Sequence, residues 1–182
     1  MLHDHTLLKR PIAFWKTPSS PTARFGQAAV DMLQTWFTGL GHKITYPMIQ
    51  HTPVDFILNQ TIRAQVKARR LAKGQQSMFL GLRRLKSATS VRQYLATDFD
   101  LLVVCLVDAE SQRWLPSYVF AIPMFALISR GLVGQPRPAG SFTLHLPSAI
   151  LSRPSSLHAQ RWQAPFFFDL TSGKLSEGDG SR

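Results

Sequence analysis

One segment constrains the fold of this chain more than any other. After Asp100 the sequence runs Leu101-Leu102-Val103-Val104-Cys105-Leu106-Val107 without a polar residue. A run this short cannot span a bilayer. Its Val and Leu content and the absence of polar alternation predict a central strand buried on both faces. Such a strand needs partners on its edges and apolar cover above and below. The fold must therefore be a sheet with layers packed against it.

The rest of the chain supplies those layers. Phe25, Ala28, Ala29, Met32, Leu33, Trp36 and Phe37 recur at helical spacing, so Thr22–Phe37 is predicted as a helix. Thr22 is the expected cap, and Gly39 and Gly41 the expected stop. Lys43–Pro47, Val54–Leu58, Ile62–Ala68, Ser77–Leu82, Arg113–Ile122 and Ser141–Leu146 are predicted strands. Asn59-Gln60 is the tight turn joining the second and third of them. Arg83–Leu95 is expected to be a polar helix or loop, and Pro123–Ser129 a short helix. The Phe166–Phe168 patch is expected in the core or at a subunit contact. The order of elements predicts an α/β or α+β domain, a sheet with helices packed on it. Residues 1–21 are expected to form an N-terminal arm, 22–170 the domain, and 171–182 a Gly- and Ser-rich tail.

Charge narrows the partners. The chain has 182 residues and a formal net charge of +11, from 21 Lys and Arg against 10 Asp and Glu. Lys9–Thr97 carries fourteen basic residues and only two acids, Asp31 and Asp55, whereas Asp98–Arg182 carries seven of each sign. Segregation of this kind suits a face that meets phosphates. Arg69, Arg70, Lys73, Arg83, Arg84 and Lys86 are the candidate phosphate contacts. One cysteine, Cys105, excludes a disulfide framework and a Cys-rich zinc site. The six histidines have no ligand spacing. Met1–Arg10 has no hydrophobic signal core, so an intracellular, cytoplasmic protein with no membrane partner is expected.

The two acids of the basic half need a reason. Strand alternation puts Asp55 and Ile57 on one face, and Gln65 and Lys67 share a face of the returning strand. A hairpin turning at Asn59-Gln60 brings Asp55 opposite Gln65–Lys67. A carboxylate, a carboxamide oxygen and an ammonium then meet. Asp55 and Gln65 can ligate a hard divalent cation such as Mg²⁺. Such a cation polarises a phosphoryl oxygen and acidifies water. Lys67 can orient that water or offset charge on phosphorus. Asp98 and Asp100 are expected at the start of a strand.

Pro53-Val54-Asp55, followed ten residues later by Gln65-Val66-Lys67, resembles the PD-(D/E)XK nuclease superfamily. The neighbouring elements agree with its Holliday-junction-resolvase-like and homing-endonuclease branch over roughly Arg24–Met124. They are a Gly-initiated helix, a strand after Gly41, a basic strand, an Asp-led strand at Asp100 and an aromatic-Ile-Pro strand end at Phe120–Pro123. The resemblance implies a restriction-endonuclease-like α/β fold, a mixed sheet flanked by helices. It implies Mg²⁺-dependent hydrolysis of DNA, with Mn²⁺ able to substitute. Asp31, Asp55, Gln65 and Lys67 become the catalytic set; Asp55, Gln65, Val66 and Asp31 become the metal site. Two departures stand out. Gln65 replaces the usual acid, which removes a negative charge and weakens metal binding. The helix acid has two candidates, Asp31 and Gln27 one turn earlier, of which Asp31 is favoured. A site-specific homing-type enzyme cutting duplex DNA as a homodimer or homotetramer is the first expectation. A junction- or flap-specific nuclease and a catalytically inactive nucleic-acid-binding module are the alternatives.

Overall fold

The computed structural model describes residues 20–48, 52–85, 91–108, 116–134, 140–146, 162–163 and 165–169. The chain begins with helix α1 (Pro21–Gly39) and continues through β1 (Ile44–Thr45), β2 (Phe56–Leu58), β3 (Ile62–Leu71), β4 (Ser77–Gly81), β5 (Arg83–Leu85) and β6 (Val91–Gln93). Then follow β7 (Leu101–Asp108), β8 (Pro116–Pro123), α2 (Met124–Ser129), β9 (Ser141–His145) and β10 (Phe167–Asp169). Six strands make one sheet in the order β1-β2-β3-β7-β8-β10. The central pair, β3 and β7, is parallel, and every other pair in it is antiparallel.

The run after Asp100 is this sheet's centre. Leu102, Val103, Val104 and Cys105 are fully buried. Alternation divides the strand between two cores. Val103, Cys105 and Val107 join Ala64 and Val66 of β3 under α1, whose Phe25, Ala29, Leu33 and Phe37 form its buried stripe. Leu102, Val104 and Leu106 face the opposite layer, built from Met78, Leu80, Leu144, Tyr94, Phe99 and the residues of α2. The sheet therefore lies between α1 on one side and α2 with two small ribbons on the other.

Local chemistry sets the element ends. Ser20, rather than Thr22, caps α1: its hydroxyl accepts the Ala23 N–H at 3.1 Å, and Pro21 opens the helix where its missing N–H costs nothing. Gly41, at φ +86°, closes it, with His42 N–H on the Phe37 carbonyl and Gly41 N–H on the Thr38 carbonyl. That is a Schellman ending, and the Phe37 and His42 rings pack at 5.8 Å.

Asn59 and Gln60 both take positive φ, 50° and 66°, at the centre of a turn closed by the Thr61 N–H on the Leu58 carbonyl at 3.1 Å; with Leu58 opposite Ile62, three residues make the connection. Asn59 also receives the Lys43 N–H on its side-chain oxygen at 3.0 Å, tying the turn to the segment before β1.

One expectation about elements fails. Within the stretch expected as a polar helix or loop, Arg83–Leu85 and Val91–Gln93 are strands: β5 and β6 pair antiparallel, Arg83 opposite Gln93. Its polar residues hid a strand pair whose support is tertiary, with Leu82 and Tyr94 buried in the core. The aromatic patch near the C-terminus packs on the core as expected, Phe166 and Phe167 against one cluster and Phe168 against the other. It also forms β10, an edge strand pairing Phe168 with Val119. Three residues are too few for periodicity to announce a strand. The proposed tail lies outside the described residues, as does the arm except for Ser20 and Pro21, which begin α1.

Candidate active site

The site grows from the β2–β3 hairpin. Ile57 stands opposite Arg63 and Phe56 opposite Ala64. Just before β2 the ladder extends by one bond, Asp55 N–H to the Ala64 carbonyl at 2.8 Å. Asp55 thereby comes alongside Gln65 and Val66. Its Oδ2 accepts the Val66 N–H and the Gln65 Nε2–H, each at 2.6 Å. Gln65 Nε2 also donates to the Val66 carbonyl at 2.8 Å. One amide NH₂ thus sits between two oxygens that face each other.

Charge is expensive here. Burial pushes the Asp55 carboxyl up from 3.8 to about 6, against the opposing pull of the Val66 N–H and of Lys67. Gln65 is only 9% exposed. Its amide is neutral, so the carboxylate has a hydrogen-bond partner but no full countercharge in contact.

Lys67 follows Gln65 by two on the same face of β3. Its Nζ donates to the Arg83 carbonyl at 3.2 Å and stands 5.0 Å from the centre of the Tyr94 ring. Reading the sequence did not single out Tyr94 or the Arg83 carbonyl. The one signal was an aromatic residue in an otherwise polar stretch.

Asp31 lies on the exposed side of α1, where its carboxylate accepts the Gln27 Nε2–H at 3.1 Å. The two candidates for the helix position are therefore bonded to each other. The face of β3 packed under α1 carries Ala64, Val66 and Ala68, the reverse of the Gln65–Lys67 face.

The basic residues divide. Arg69 is exposed on β3, two residues beyond Lys67. Arg70 turns to the α1 side, its guanidinium 5.2 Å from the Phe25 ring. Lys73 is exposed in the β3–β4 loop, and Arg83 is exposed at the start of β5. The Arg84 side chain and Lys86 lie outside the described residues.

Other expected residues hold the scaffold. Asp100 pairs with Arg63 where β3 and β7 begin, and Asp98 accepts Arg92 Nη2 at 2.9 Å. Burial pushes the Cys105 thiol up to about 12, leaving it inert in the core. Among the described residues, no three His, Cys, Asp or Glu side chains converge as a metal cluster. A cation at this site would use the mixed donor set of one carboxylate, one amide and one carbonyl. No described helix is long and apolar enough to cross a membrane.

No protein-family model and no curated protein matches this chain. Among solved structures, it is similar to MepB at 14% identity and TM-score 0.51, over 76% of this chain and 95% of that one. It is also similar to the bacterial homing endonuclease I-Ssp6803I at 18% identity and TM-score 0.49, over 70% of this chain and 78% of that one. At such identities a likeness speaks to fold alone. The fold is the mixed α/β sheet with flanking helices that the sequence leads one to expect.

Proposed function

We propose that this protein is a Mg²⁺-dependent DNA endonuclease, of the site-specific homing type, working as a homodimer or homotetramer. The observation that carries the proposal is the position of Gln65 Nε2, bonded at once to Asp55 Oδ2 and the Val66 carbonyl. Two oxygens already converge on one positively polarised group, and the carboxylate among them has no cation in direct contact, Lys67 acting on it only through space. A hard cation suits that set. Asp55, the Val66 carbonyl and Gln65 would hold it, the amide rotating to present Oε1. Asp31, exposed on α1 over the opposite face of the sheet, is left out of that set. Once bound, the cation supplies polarisation of a phosphoryl oxygen and a more acidic water.

The chain's own groups do the rest. Lys67 carries its ammonium on the same face as Gln65, held by a carbonyl and over a ring. From there it offsets charge developing on the phosphoryl oxygens or orients the attacking water. Arg69, Lys73 and Arg83, all exposed, are the proposed contacts to the DNA backbone. One centre cuts one strand, so a double-strand break calls for two copies related by symmetry.

A second reading has its own observation. The Asp55–Gln65 pair is hydrogen-bonded without a metal, and Lys67 is engaged by Arg83 and Tyr94. A nucleic-acid-binding module with an inactive site would look the same.

Incubating supercoiled plasmid, a mixed-sequence linear library and a four-way junction with Mg²⁺ or EDTA separates the readings. Wild type with Mg²⁺ is expected to give discrete cuts in duplex, and Lys67→Ala none. Equal DNA binding by both proteins with no product from any substrate would establish the binding module instead. Cutting confined to the junction would replace the homing assignment with structure-specific cleavage.

A further inference from the structure

β4 and β9 form a two-stranded antiparallel ribbon, Phe79 opposite Thr143 at its centre. Met78, Leu80 and Leu144 point inward and are buried. Alternation puts Ser77, Phe79, Gly81, Ser141, Thr143 and His145 on the other face. Phe79 is 68% exposed. None of these six is Lys, Arg, Asp or Glu, although the chain carries +11. Protein surface left to solvent ordinarily intersperses charged side chains. The edge of β9, by contrast, is covered: buried Gln163 donates to the Thr143 carbonyl at 2.7 Å and accepts the His145 N–H at 3.1 Å. His145, its pKa held below the ordinary value by burial, adds no positive charge to the ribbon at neutral pH.

The ribbon also abuts the reaction site. β4 passes through Leu82 into Arg83, whose carbonyl holds Lys67. Exposed Lys73 precedes β4 and exposed Arg83 follows it. An uncharged reading face with cations at both ends matches a DNA groove, whose base edges lie between two rows of phosphate. The major groove is wide enough for a two-stranded ribbon.

We infer that the outward face of the β4–β9 ribbon enters the major groove of duplex DNA, with Phe79 and Thr143 against base edges and Lys73 and Arg83 on the flanking phosphates. The inference rests on the endonuclease reading for its polymer. Phe79 offers apolar contact to a thymine methyl, and the Thr143 hydroxyl can bond either base edge. Double-stranded RNA, with its deep and narrow major groove, should not admit the ribbon.

The single native cysteine is buried, so Phe79→Cys provides one accessible thiol. Its maleimide labelling is measured at low salt without Mg²⁺, with and without saturating mixed-sequence DNA duplex. Phe125→Cys on α2, where the native ring is 70% exposed, is the control. DNA should slow labelling several-fold at position 79, leave position 125 unchanged, and be replaced poorly by RNA duplex. On a preferred target, Phe79→Ala should lower discrimination over random duplex by roughly 5- to 100-fold while keeping the salt dependence of binding. Unchanged labelling at position 79 beneath bound DNA, or equal protection by RNA, overturns the ribbon assignment. Cleavage by wild type together with an unprotected Phe79→Cys rejects the ribbon and keeps the nuclease. Protection with no cleavage rejects the nuclease and keeps the ribbon. Failure of wild type to shift any duplex at low salt rejects both.

Discussion

Asp55 and Asp100 are attached to the same strand by the same device, and their charges fare oppositely. Each carboxylate takes one backbone N–H of β3 and one side chain of that strand. For Asp55 these are Val66 N–H and the Gln65 amide. For Asp100 they are Arg63 N–H at 2.9 Å and the Arg63 guanidinium at 2.9 and 3.0 Å. Asp100 is about two-fifths exposed and faces a cation, so hydrogen bonds from Arg63 hold its pKa below the ordinary value. Asp55 is desolvated and faces a neutral amide, and its carboxyl rises to about 6. The difference teaches what each is for. Asp100 completes its charge balance inside the chain and fixes where β3 and β7 begin. Asp55 has only Lys67, acting through space, to offset its charge, and that suits the proposed cation site.

The largest expected consequence is in activity. Asp55→Asn should lower Mg²⁺-dependent DNA cleavage by about 100-fold or more, the scale set by removing one preorganised electrostatic group. Asp100→Asn should keep cleavage within a few-fold, since its carboxylate serves the strand ends. Plasmid nicking rates of the two variants decide this. Similar losses in both would erase the distinction between the carboxylates.

Stability against pH comes next. The folded state raises the Asp55 pKa, so folding takes up a proton between pH 3.8 and about 6. Its favourable contribution is full below the unfolded value and is lost as pH rises through the folded one. Over that window the metal-free protein should lose about 2–3 kcal/mol from this group. The lowered pKa of Asp100 acts in the other direction: its contribution is present above the unfolded value and is lost as pH falls below it. Urea titrations of wild type and Asp55→Asn from pH 4 to 7 isolate the first effect. Parallel curves would remove the case for a buried, uncompensated carboxylate.

The smallest effect separates scaffold from charge. Gln60 sits at φ 66°, where glycine carries no steric penalty. Gln60→Gly should stabilise the hairpin by up to about 1 kcal/mol in thermal or urea unfolding. The contrast between Asp55 and Asp100 should survive unchanged. A loss of stability would mean that the Gln60 side chain, not the turn geometry, holds the hairpin.

Much of this comparison was legible in the sequence, for identifiable reasons. The Leu101–Val107 run has one physical solution, a doubly covered strand, and β7 adopts it. Asn59-Gln60 announced the turn, and a turn plus strand alternation fixes which residues meet. Asp55 therefore lands beside Gln65 and Val66. What the sequence could not show depends on distant parts of the chain. Arg83–Leu95 is polar, and its strand pair acquires a core only through Leu82 and Tyr94. The hold of Arg83 and Tyr94 on Lys67 follows from that pairing, so it stayed hidden as well. Strand β10 exists because Phe167–Asp169 finds the edge of β8 some fifty residues upstream. The expected cap Thr22 lost to Ser20, a shift of two residues that helix periodicity does not fix. The burial that lifts the Asp55 pKa is likewise a property of the assembled layers.

Calorimetric titration of Mg²⁺ into the DNA-free protein tests the central claim most directly, repeated in buffers of different ionisation heat. A cation binding at Asp55 must displace the proton this carboxyl still carries at about pH 5 and no longer carries at about pH 8. Wild type should therefore bind Mg²⁺ with proton release at the lower pH and almost none at the higher, and Asp55→Asn should lose this binding. Identical titrations for both proteins, or the absence of any Mg²⁺ heat from wild type at either pH, would contradict a metal site at Asp55.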